Sequence, residues 1–156
     1  MNRVSYFIVN AFTTELYKGN PAAVCLLDST IPESTMQKIA QEIPVPTTAF
    51  VQKKDNDFFL RWFTSVAEIP ICGHGTIASA FLLWQQGIVP VDSSITFQTL
   101  SGPLQARWIN QQVEITIKKY ELEEIECPSD LEEWLGTKPK YVGKTDLDYI
   151  VELSHE

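Results

Sequence analysis

Two side chains suited to proton transfer lie two residues apart in the segment 72–76, which reads Cys-Gly-His-Gly-Thr. His74 titrates near neutral pH, so it could hold or move a proton on a bound molecule. Cys72 could act as a base or nucleophile if its thiol ionises, and a helix amino terminus favours the thiolate. This spacing predicts a catalytic site, with His74 as substrate hydrogen-bond donor or proton shuttle and Cys72 as a second candidate.

A buried helix is predicted directly after this turn, over residues 74–86. Its middle reads Ile-Ala-Ser-Ala-Phe-Leu-Leu-Trp, and a helix without a polar face must be buried on all sides. Gly87 is well placed to end it as the C′ residue. The amino end of such a helix carries unpaired N–H groups and a positive dipole end. Gly73, Gly75 and Thr76 are therefore predicted to hold the carboxylate of a small-molecule substrate.

Each of these residues also has a plainer interpretation. His74 could bond only to the backbone, and Cys72 could be a small buried apolar side chain. The two glycines could be present only so that the chain can turn against a sheet. The three cysteines, Cys25, Cys72 and Cys127, are odd in number and widely spaced. They fit neither a disulfide framework nor a zinc site, so we expect no metal.

Length and charge limit the class of partner. A chain of 156 residues can bury a sizeable core. Its net charge of −8 argues against nucleic acid or an anionic membrane as a partner, because both require basic patches. No segment approaches the roughly 20 apolar residues that span a bilayer, and the amino-terminal apolar run is too short for a signal peptide. We therefore predict a cytoplasmic protein.

The segments around the central helix are mostly strand-like. Aromatic and β-branched runs predict strands, and Pro, Gly and Asn mark the turns between them. The predicted strands are 4–12, 22–27, 48–52, 57–63, 94–100, 104–109 and 113–119, with a helix after Pro32 that ends before Pro44. Many short strands around one apolar helix predict an α+β fold, with a mixed or antiparallel sheet rolled around the central helix.

The carboxy-terminal part is predicted to contain a short surface helix and one strand. Ser129 followed by Glu132 is a capping-box arrangement, which predicts a helix that begins with Ser129 as its N-cap. Trp134 would then face inward. Residues 145–153 are predicted to form the final strand.

Several motifs, in this order and at this spacing, resemble the phenazine-biosynthesis PhzF-like family, which shares its fold with diaminopimelate epimerase. The matching segments are 9–13 (Val-Asn-Ala-Phe-Thr), 19–24 (Gly-Asn-Pro-Ala-Ala-Val), 36–42 (Met-x-x-Ile-Ala-x-Glu), 48–50 (Thr-Ala-Phe), 61–64 (Arg-Trp-Phe-Thr) and 68–76 (Glu-Ile-Pro-Ile-Cys-Gly-His-Gly-Thr). The resemblance is good over residues 4–118 and weaker beyond.

The resemblance implies a lobe built as a sheet rolled around a helix, and a full-length member has two such lobes with the active site between them. Residues 1–120 would be the first lobe. Residues 121–156 would be a linker, a short helix and a final strand that begin a second lobe. The implied activity is a cofactor-independent isomerisation in which a proton moves on a small carboxylate-bearing substrate. A second copy of the chain would supply the missing cleft wall, so we expect a homodimer.

One departure from the family pattern concerns the acid/base residue. The family has a glutamate in a Ser-Glu-Thr-Ala-Phe type motif, and Thr47 stands at that position here. A threonine hydroxyl does not ionise near neutral pH and cannot serve as a general base unaided. Asn20 could contact substrate or only form its turn. The alternative hypothesis is a non-catalytic binding or dimerisation module that keeps the fold.

Overall fold

The computed structural model describes residues 4–55 and 57–154. The strands are β1 (Ser5–Ala11), β2 (Asn20–Leu27), β3 (Thr47–Lys54), β4 (Asp57–Phe63), β5 (Glu68–Ile69), β6 (Ile95–Thr99), β7 (Gly102–Ile109), β8 (Gln112–Thr116), β9 (Glu123–Glu124), β10 (Tyr141–Lys144) and β11 (Tyr149–Glu152). The helices are α1 (Glu33–Glu42), α2 (Gly73–Gln85) and α3 (Ser129–Leu135). The chain divides into two compact units, Met1–Ile117 and Lys118–Glu156.

The first unit is a curled mixed sheet around α2. Its strands follow the order β1-β2-β3-β4-β6-β7-β8, and β5 pairs with β4. The pairs β2–β3 and β4–β6 are parallel, and the other pairs are antiparallel. Helix α2 contacts β1, β2 and β3 at one end of this order and β8 at the other. The sheet therefore wraps around the helix, and the predicted α+β fold is confirmed.

Helix α2 is buried because it offers no polar face. Eight of its residues are buried: Gly75, Thr76, Ala78, Ser79, Ala80, Leu82, Leu83 and Trp84. The helix ends where Gly87 adopts a left-handed φ of 65°. The Gly87 N–H donates to the Trp84 carbonyl and the Ile88 N–H to that of Leu83, which is a Schellman arrangement. The prediction of Gly87 as the C′ residue is confirmed.

Alternation along the strands separates two cores. On β2, Ala22 and Val24 face α2, whereas Ala23 and Cys25 face α1 on the outer side of the sheet. On β4, Leu60 and its inward neighbours likewise face α2. Successive strand residues point to opposite faces, so a strand covered on both sides reads as a continuous apolar run.

The Cys25 thiol lies in the outer core, and burial raises its pKa to about 12 from 9.0. The folded protein therefore keeps this proton above pH 9, where the unfolded chain releases it. Stability from this group is fully present below pH 9 and is lost as the pH rises towards 12. We expect the free energy of unfolding to fall more steeply over this range in the parent than in Cys25→Ala. The expected excess slope, measured by urea denaturation, is up to about 1.4 kcal/mol per pH unit. Equal slopes would contradict the prediction.

The second unit contains a three-stranded antiparallel sheet in the order β11-β10-β9. The predicted Ser129 cap is wrong: Pro128 is the N-cap of α3, Ser129 is its first helical residue, and no side chain caps the helix. Trp134 is 77% exposed, so its predicted inward orientation is also wrong. The strand predicted over 145–153 is shorter: β11 covers only Tyr149–Glu152, because residues 145–148 form the turn from β10, in which the Thr145 hydroxyl accepts the N–H of Asp148.

Across the described residues, 4–55 and 57–154, no helix has both the length and the apolar character needed to cross a membrane.

Candidate functional site

The amino end of α2 and the first residue of β3 meet at one end of the rolled sheet. Cys72 is the N-cap of α2, with extended backbone dihedrals. Thr47 begins β3 and pairs with Ala22 in the parallel ladder to β2. Although 25 positions separate them, the Thr47 hydroxyl interacts with the Cys72 thiol. We call this end of the sheet the mouth and define it by Thr47, Cys72, His74 and Gly75.

Cys72 and His74 form a close pair in the mouth. The Cys72 Sγ lies 3.4 Å from Nδ1 of His74 and 3.9 Å from its Nε2. Burial lowers the pKa of His74 and raises the pKa of Cys72. Both shifts favour the uncharged form, since each ion would lose hydration. Near neutral pH the resting pair is therefore a thiol beside a neutral imidazole, one group able to donate a proton and the other able to accept one.

Two weaker interactions act on the thiol in the opposite direction. Hydrogen bonding from the Gly75 N–H and from the Thr47 hydroxyl lowers the pKa of Cys72, but less than burial raises it. Cys72 forms no well-formed side-chain cap with the helix. These donors would stabilise a thiolate if the sulfur lost its proton.

Gly75 allows the helix to approach the sheet closely. A Cβ atom at this position would lie 2.9 Å from Cδ1 of Trp62 and 3.1 Å from the Cys72 Sγ. The same Cβ would lie 3.3 Å from Nε1 of Trp62. The indole of Trp62 and the thiol of Cys72 therefore flank Gly75, and a side chain here would displace one of them.

Trp62 is a site neighbour that the sequence did not reveal. Alternation on β4 places it on the inner face with Leu60, which predicts only a core residue. It is 1% exposed, yet its indole N–H has no hydrogen-bond partner among the described residues. A buried donor without a partner is uncommon and costs free energy. No sequence pattern could reveal it, because the signal is the missing partner.

The backbone N–H groups of the first helical turn are partly committed. The N–H and the hydroxyl of Thr76 both donate to the Cys72 carbonyl, at 3.0 and 2.7 Å. Thr76 thus holds the turn closed. The N–H groups of Gly73, His74 and Gly75 precede this first intrahelical bond, where helices have no internal acceptor. Of the predicted carboxylate donors, the Gly75 N–H already bonds to the Cys72 thiol, and the role of Gly73 stays a prediction.

Asn20 lies at the same end of the sheet, where it begins β2 and pairs with Ala11. The preceding Gly19 has a φ of 86°, as expected for the turn predicted there. A Cβ at Gly19 would lie 2.4 Å from the Ala11 carbonyl oxygen, so the turn depends on glycine. The structure gives Asn20 no side-chain hydrogen bond to Thr47, Cys72 or His74, so its predicted contact with substrate stays a prediction.

An ion-pair cluster fixes the segment that leads into the mouth. Arg61 donates to both carboxylate oxygens of Glu68, each at 2.6 Å, and to Glu33 at 2.6 Å. Hydrogen bonding to Glu68 is the largest cause of a raised Arg61 pKa, so the charge is permanent. The bidentate pair ties β4 to β5, four residues before Cys72, and Glu33 adds the start of α1. Within the described ranges, no group of three His, Cys, Asp or Glu could hold a metal.

Comparison with known proteins identifies relatives that match from two thirds to nearly all of this chain. An uncharacterized isomerase of Halalkalibacterium halodurans is 38% identical over 151 residues, which are 96% of this chain and 57% of that protein. A phenazine biosynthesis-like domain-containing protein of Bos taurus is 48% identical over 113 residues, 67% of this chain and 39% of that protein. A crystal structure of a PhzC/PhzF phenazine biosynthesis protein from Clostridium difficile matches with a TM-score of 0.81 at 40% identity. The match includes 99% of this chain and 59% of the Clostridium difficile protein.

The chain therefore spans less than two thirds of the length of these relatives. The family model described as phenazine biosynthesis-like protein matches residues 9–129, which include all of the mouth. This match covers more than half of the sequence. The chain belongs to the PhzC-PhzF family of phenazine biosynthesis-like proteins.

Proposed function

We propose that the mouth is the catalytic half-site of a cofactor-independent isomerase that moves a proton on a small carboxylate-bearing substrate. The observation that carries this proposal is the Cys72–His74 contact of 3.4 Å at the amino end of α2. The isomerase named among the relatives supports the reaction class. The proposal assigns His74 as the group that accepts or donates the substrate proton.

The protonation states favour an imidazole base in this proposal. His74 with a lowered pKa is neutral near pH 7 and can accept a proton from a substrate carbon. Cys72 with a raised pKa keeps its proton, so its thiol can donate to the imidazole or to the substrate. Thr47, at the position of the family glutamate, can hydrogen-bond but cannot ionise near neutral pH. The proton transfer is therefore assigned to the pair and not to Thr47.

The helix terminus is the proposed carboxylate site. The positive end of the helix dipole and the N–H of Gly73 favour an anion here, and the Gly75 N–H would join them by exchanging the Cys72 thiol for the carboxylate. Thr76 contributes by donating a hydrogen bond from its hydroxyl to the Cys72 carbonyl, which fixes the first turn of α2. Asn20 is proposed as a further substrate contact from the same end of the sheet. His74 is only half-buried, so a second protein surface, such as that of another copy of the chain, would have to close the site and exclude water.

Deuterium wash-in tests this proposal directly. The purified chain would be incubated in D2O with trans-2,3-dihydro-3-hydroxyanthranilate and, separately, with small amino acids. We expect incorporation of deuterium at one carbon of at least one substrate, followed by mass spectrometry and NMR. No exchange above the uncatalysed rate at high protein concentration would discard the proposal. The oligomeric state, measured by light scattering on the same sample, tests the proposed dimer.

A second candidate function is a non-catalytic binding or dimerisation module. Thr47 favours it, because this buried residue, 3% exposed, replaces the ionisable group of the family motif. In this case the mouth would still bind a carboxylate but would not exchange a proton.

Restoring the carboxylate separates the two functions. If the chain is a module that lost its chemistry, Thr47→Glu is expected to raise the exchange rate at least about tenfold over a silent parent, because a positioned acid or base contributes about 10²–10⁴-fold. The matched control is Thr47→Gln, which has the same size but no ionisable group. Exchange by the parent itself would exclude the module. Equal rates for the two variants would show that the added carboxylate has no catalytic role.

A further inference from the structure

The indole of Trp62 places a hydrogen-bond donor beside the mouth. Its Nε1 is buried and has no hydrogen-bond partner among the described residues. Buried donors in folded proteins nearly always have a partner, and leaving one unpaired costs free energy. Trp84 in the same inner core has the usual arrangement, because its indole N–H donates to the Ser93 carbonyl at 3.1 Å. Packing alone therefore does not account for a tryptophan at position 62.

The N–H edge of this indole faces the first turn of α2. A Cβ atom built at Gly75 would have Cδ1 and Nε1 of Trp62, the two atoms of that edge, among its three nearest neighbours. The third neighbour is the Cys72 Sγ, 3.1 Å from the same point. The indole N–H and the thiol therefore lie beside the same glycine, although no hydrogen bond joins them.

The thiol occupies a donor that would suit a stronger acceptor. The Gly75 N–H bonds to the Cys72 sulfur. The sulfur of a neutral thiol is a weak acceptor. A carboxylate oxygen at a helix amino terminus accepts a charge-assisted hydrogen bond, which is shorter and stronger. A carboxylate that enters the mouth would therefore displace the thiol from Gly75.

The side chain that would have to move is small, and the donor that would stay is fixed. The Cys72 sulfur can move by rotation about one Cα–Cβ bond. Its other neighbours are the Thr47 hydroxyl and the ring of His74, and it forms no ion pair with either. Trp62 is 1% exposed and packs in the inner core, so its N–H keeps its place when the thiol moves.

We propose that the N–H groups of Gly75 and Trp62 form a two-donor site for one carboxylate, which the Cys72 thiol occupies in the resting protein. Each carboxylate oxygen would accept one of the two N–H groups, and Trp62 would gain the partner that it lacks. This inference rests on the proposed function, because it adds Trp62 to the carboxylate site of the mouth. It also gives Trp62 a role in selectivity: a ligand group with donors only, such as an ammonium, would leave both N–H groups unpaired.

The test is a titration of the ¹⁵N-labelled chain with sodium acetate at pH 7, followed by ¹H–¹⁵N correlation NMR. The four tryptophans give four indole signals, and Trp62→Phe identifies that of Trp62. We expect the Trp62 indole proton and the Gly75 amide proton to move downfield with the same midpoint, because both gain a charge-assisted bond. The Trp84 indole signal is the internal control and should not move, since that N–H already has an acceptor. Sodium chloride at the same ionic strength should move neither Trp62 nor Gly75.

Matched variants test the two parts of the site. Cys72→Ala removes the competing thiol and is expected to bind acetate about three- to tenfold more tightly, the equivalent of one ordinary hydrogen bond. Trp62→Phe is expected to weaken acetate binding by at least the same factor. Because the smaller ring could disturb the core, benzothienylalanine at position 62, which has the shape of tryptophan but no N–H, serves as the second variant. Trp84→Phe makes the same substitution elsewhere in the core and should leave acetate binding unchanged.

Two results would overturn the inference. In the first, acetate moves the Gly75 amide signal but not the Trp62 indole signal, which would keep the carboxylate site of the proposed function and remove Trp62 from it. In the second, acetate moves neither signal, in the parent or in Cys72→Ala. Deuterium exchange on a substrate is a separate measurement. A chain that binds acetate through both donors but exchanges no deuterium would support this inference and discard the proposed reaction.

Discussion

Replacing His74 by asparagine is expected to lower the rate of substrate deuterium exchange by about 10²–10⁴-fold, the usual contribution of a positioned acid or base. The asparagine amide keeps a hydrogen-bonding group near the Cys72 thiol, which lies 3.4 Å from Nδ1 of the histidine. It cannot accept a proton from carbon. The loss should therefore affect the exchange step more than substrate binding, measured as a fall in kcat with little change in KM.

The pH profile provides a second measurement for this site. Because burial lowers the pKa of His74, the imidazole stays neutral below pH 6.5, where an ordinary histidine would be protonated. The proposed base should therefore stay active below about pH 6.5, until the pH falls to the lowered pKa of His74. Because burial raises the pKa of Cys72, the thiol should stay protonated beyond pH 9. We expect a broad plateau between these limits in the parent. In His74→Asn the acidic limb should disappear.

Cys127→Ser is the control for the His74 variant, since Cys127 lies in the second unit and outside the mouth. Its exchange rate and pH profile should match those of the parent. An exchange rate for His74→Asn within threefold of the parent would remove His74 from the catalytic role. Iodoacetamide labelling of Cys72 that left activity intact would separately remove the thiol.

The sheet and its central helix could be predicted because the distribution of apolar residues in their sequences requires that they be buried against each other. A helix with an apolar surface all round must be covered, and continuous apolar runs such as that of β2 must be covered on both faces. The turn at Gly87 follows from the need for a left-handed φ after the last helical residue. Sequence reasoning was less successful in the second unit. There a turn at Thr145 occupies the first part of the strand predicted over 145–153, and Pro128 takes the cap position expected for Ser129.

The site could be predicted only where its residues are close in sequence. Cys72, His74 and Gly75 share one turn, so their proximity follows from local geometry. The approach of Thr47 to the Cys72 thiol depends on how β3 begins beside the amino end of α2, which is a property of the whole sheet. Trp62 could not be predicted as a site neighbour, since alternation fixes the face on which a side chain lies but not the partner of its N–H.

Gly75→Ala is expected to destabilise the protein by about 1–3 kcal/mol, the usual cost of an extra methyl group in a packed interior. The new Cβ would lie 2.9 Å from Cδ1 of Trp62 and 3.1 Å from the Cys72 Sγ. Trp62 is 1% exposed and fills the inner core, so it cannot move aside as a flexible surface chain would. The first turn of α2 would have to shift, and the contact between Cys72 and His74 would shift with it. We therefore also expect a loss of exchange activity.

Gly73→Ala is the matched control, because it makes the same change in the same turn. No atom lies within 4 Å of a Cβ built at Gly73. Alanine there should be neutral or should stabilise the fold by about 0.4–1 kcal/mol, through a smaller loss of backbone entropy on folding. Urea denaturation of both variants measures the difference. Equal stabilities would mean that the helix can adjust its distance from the sheet, and that close packing against Trp62 does not fix the position of the Cys72 thiol.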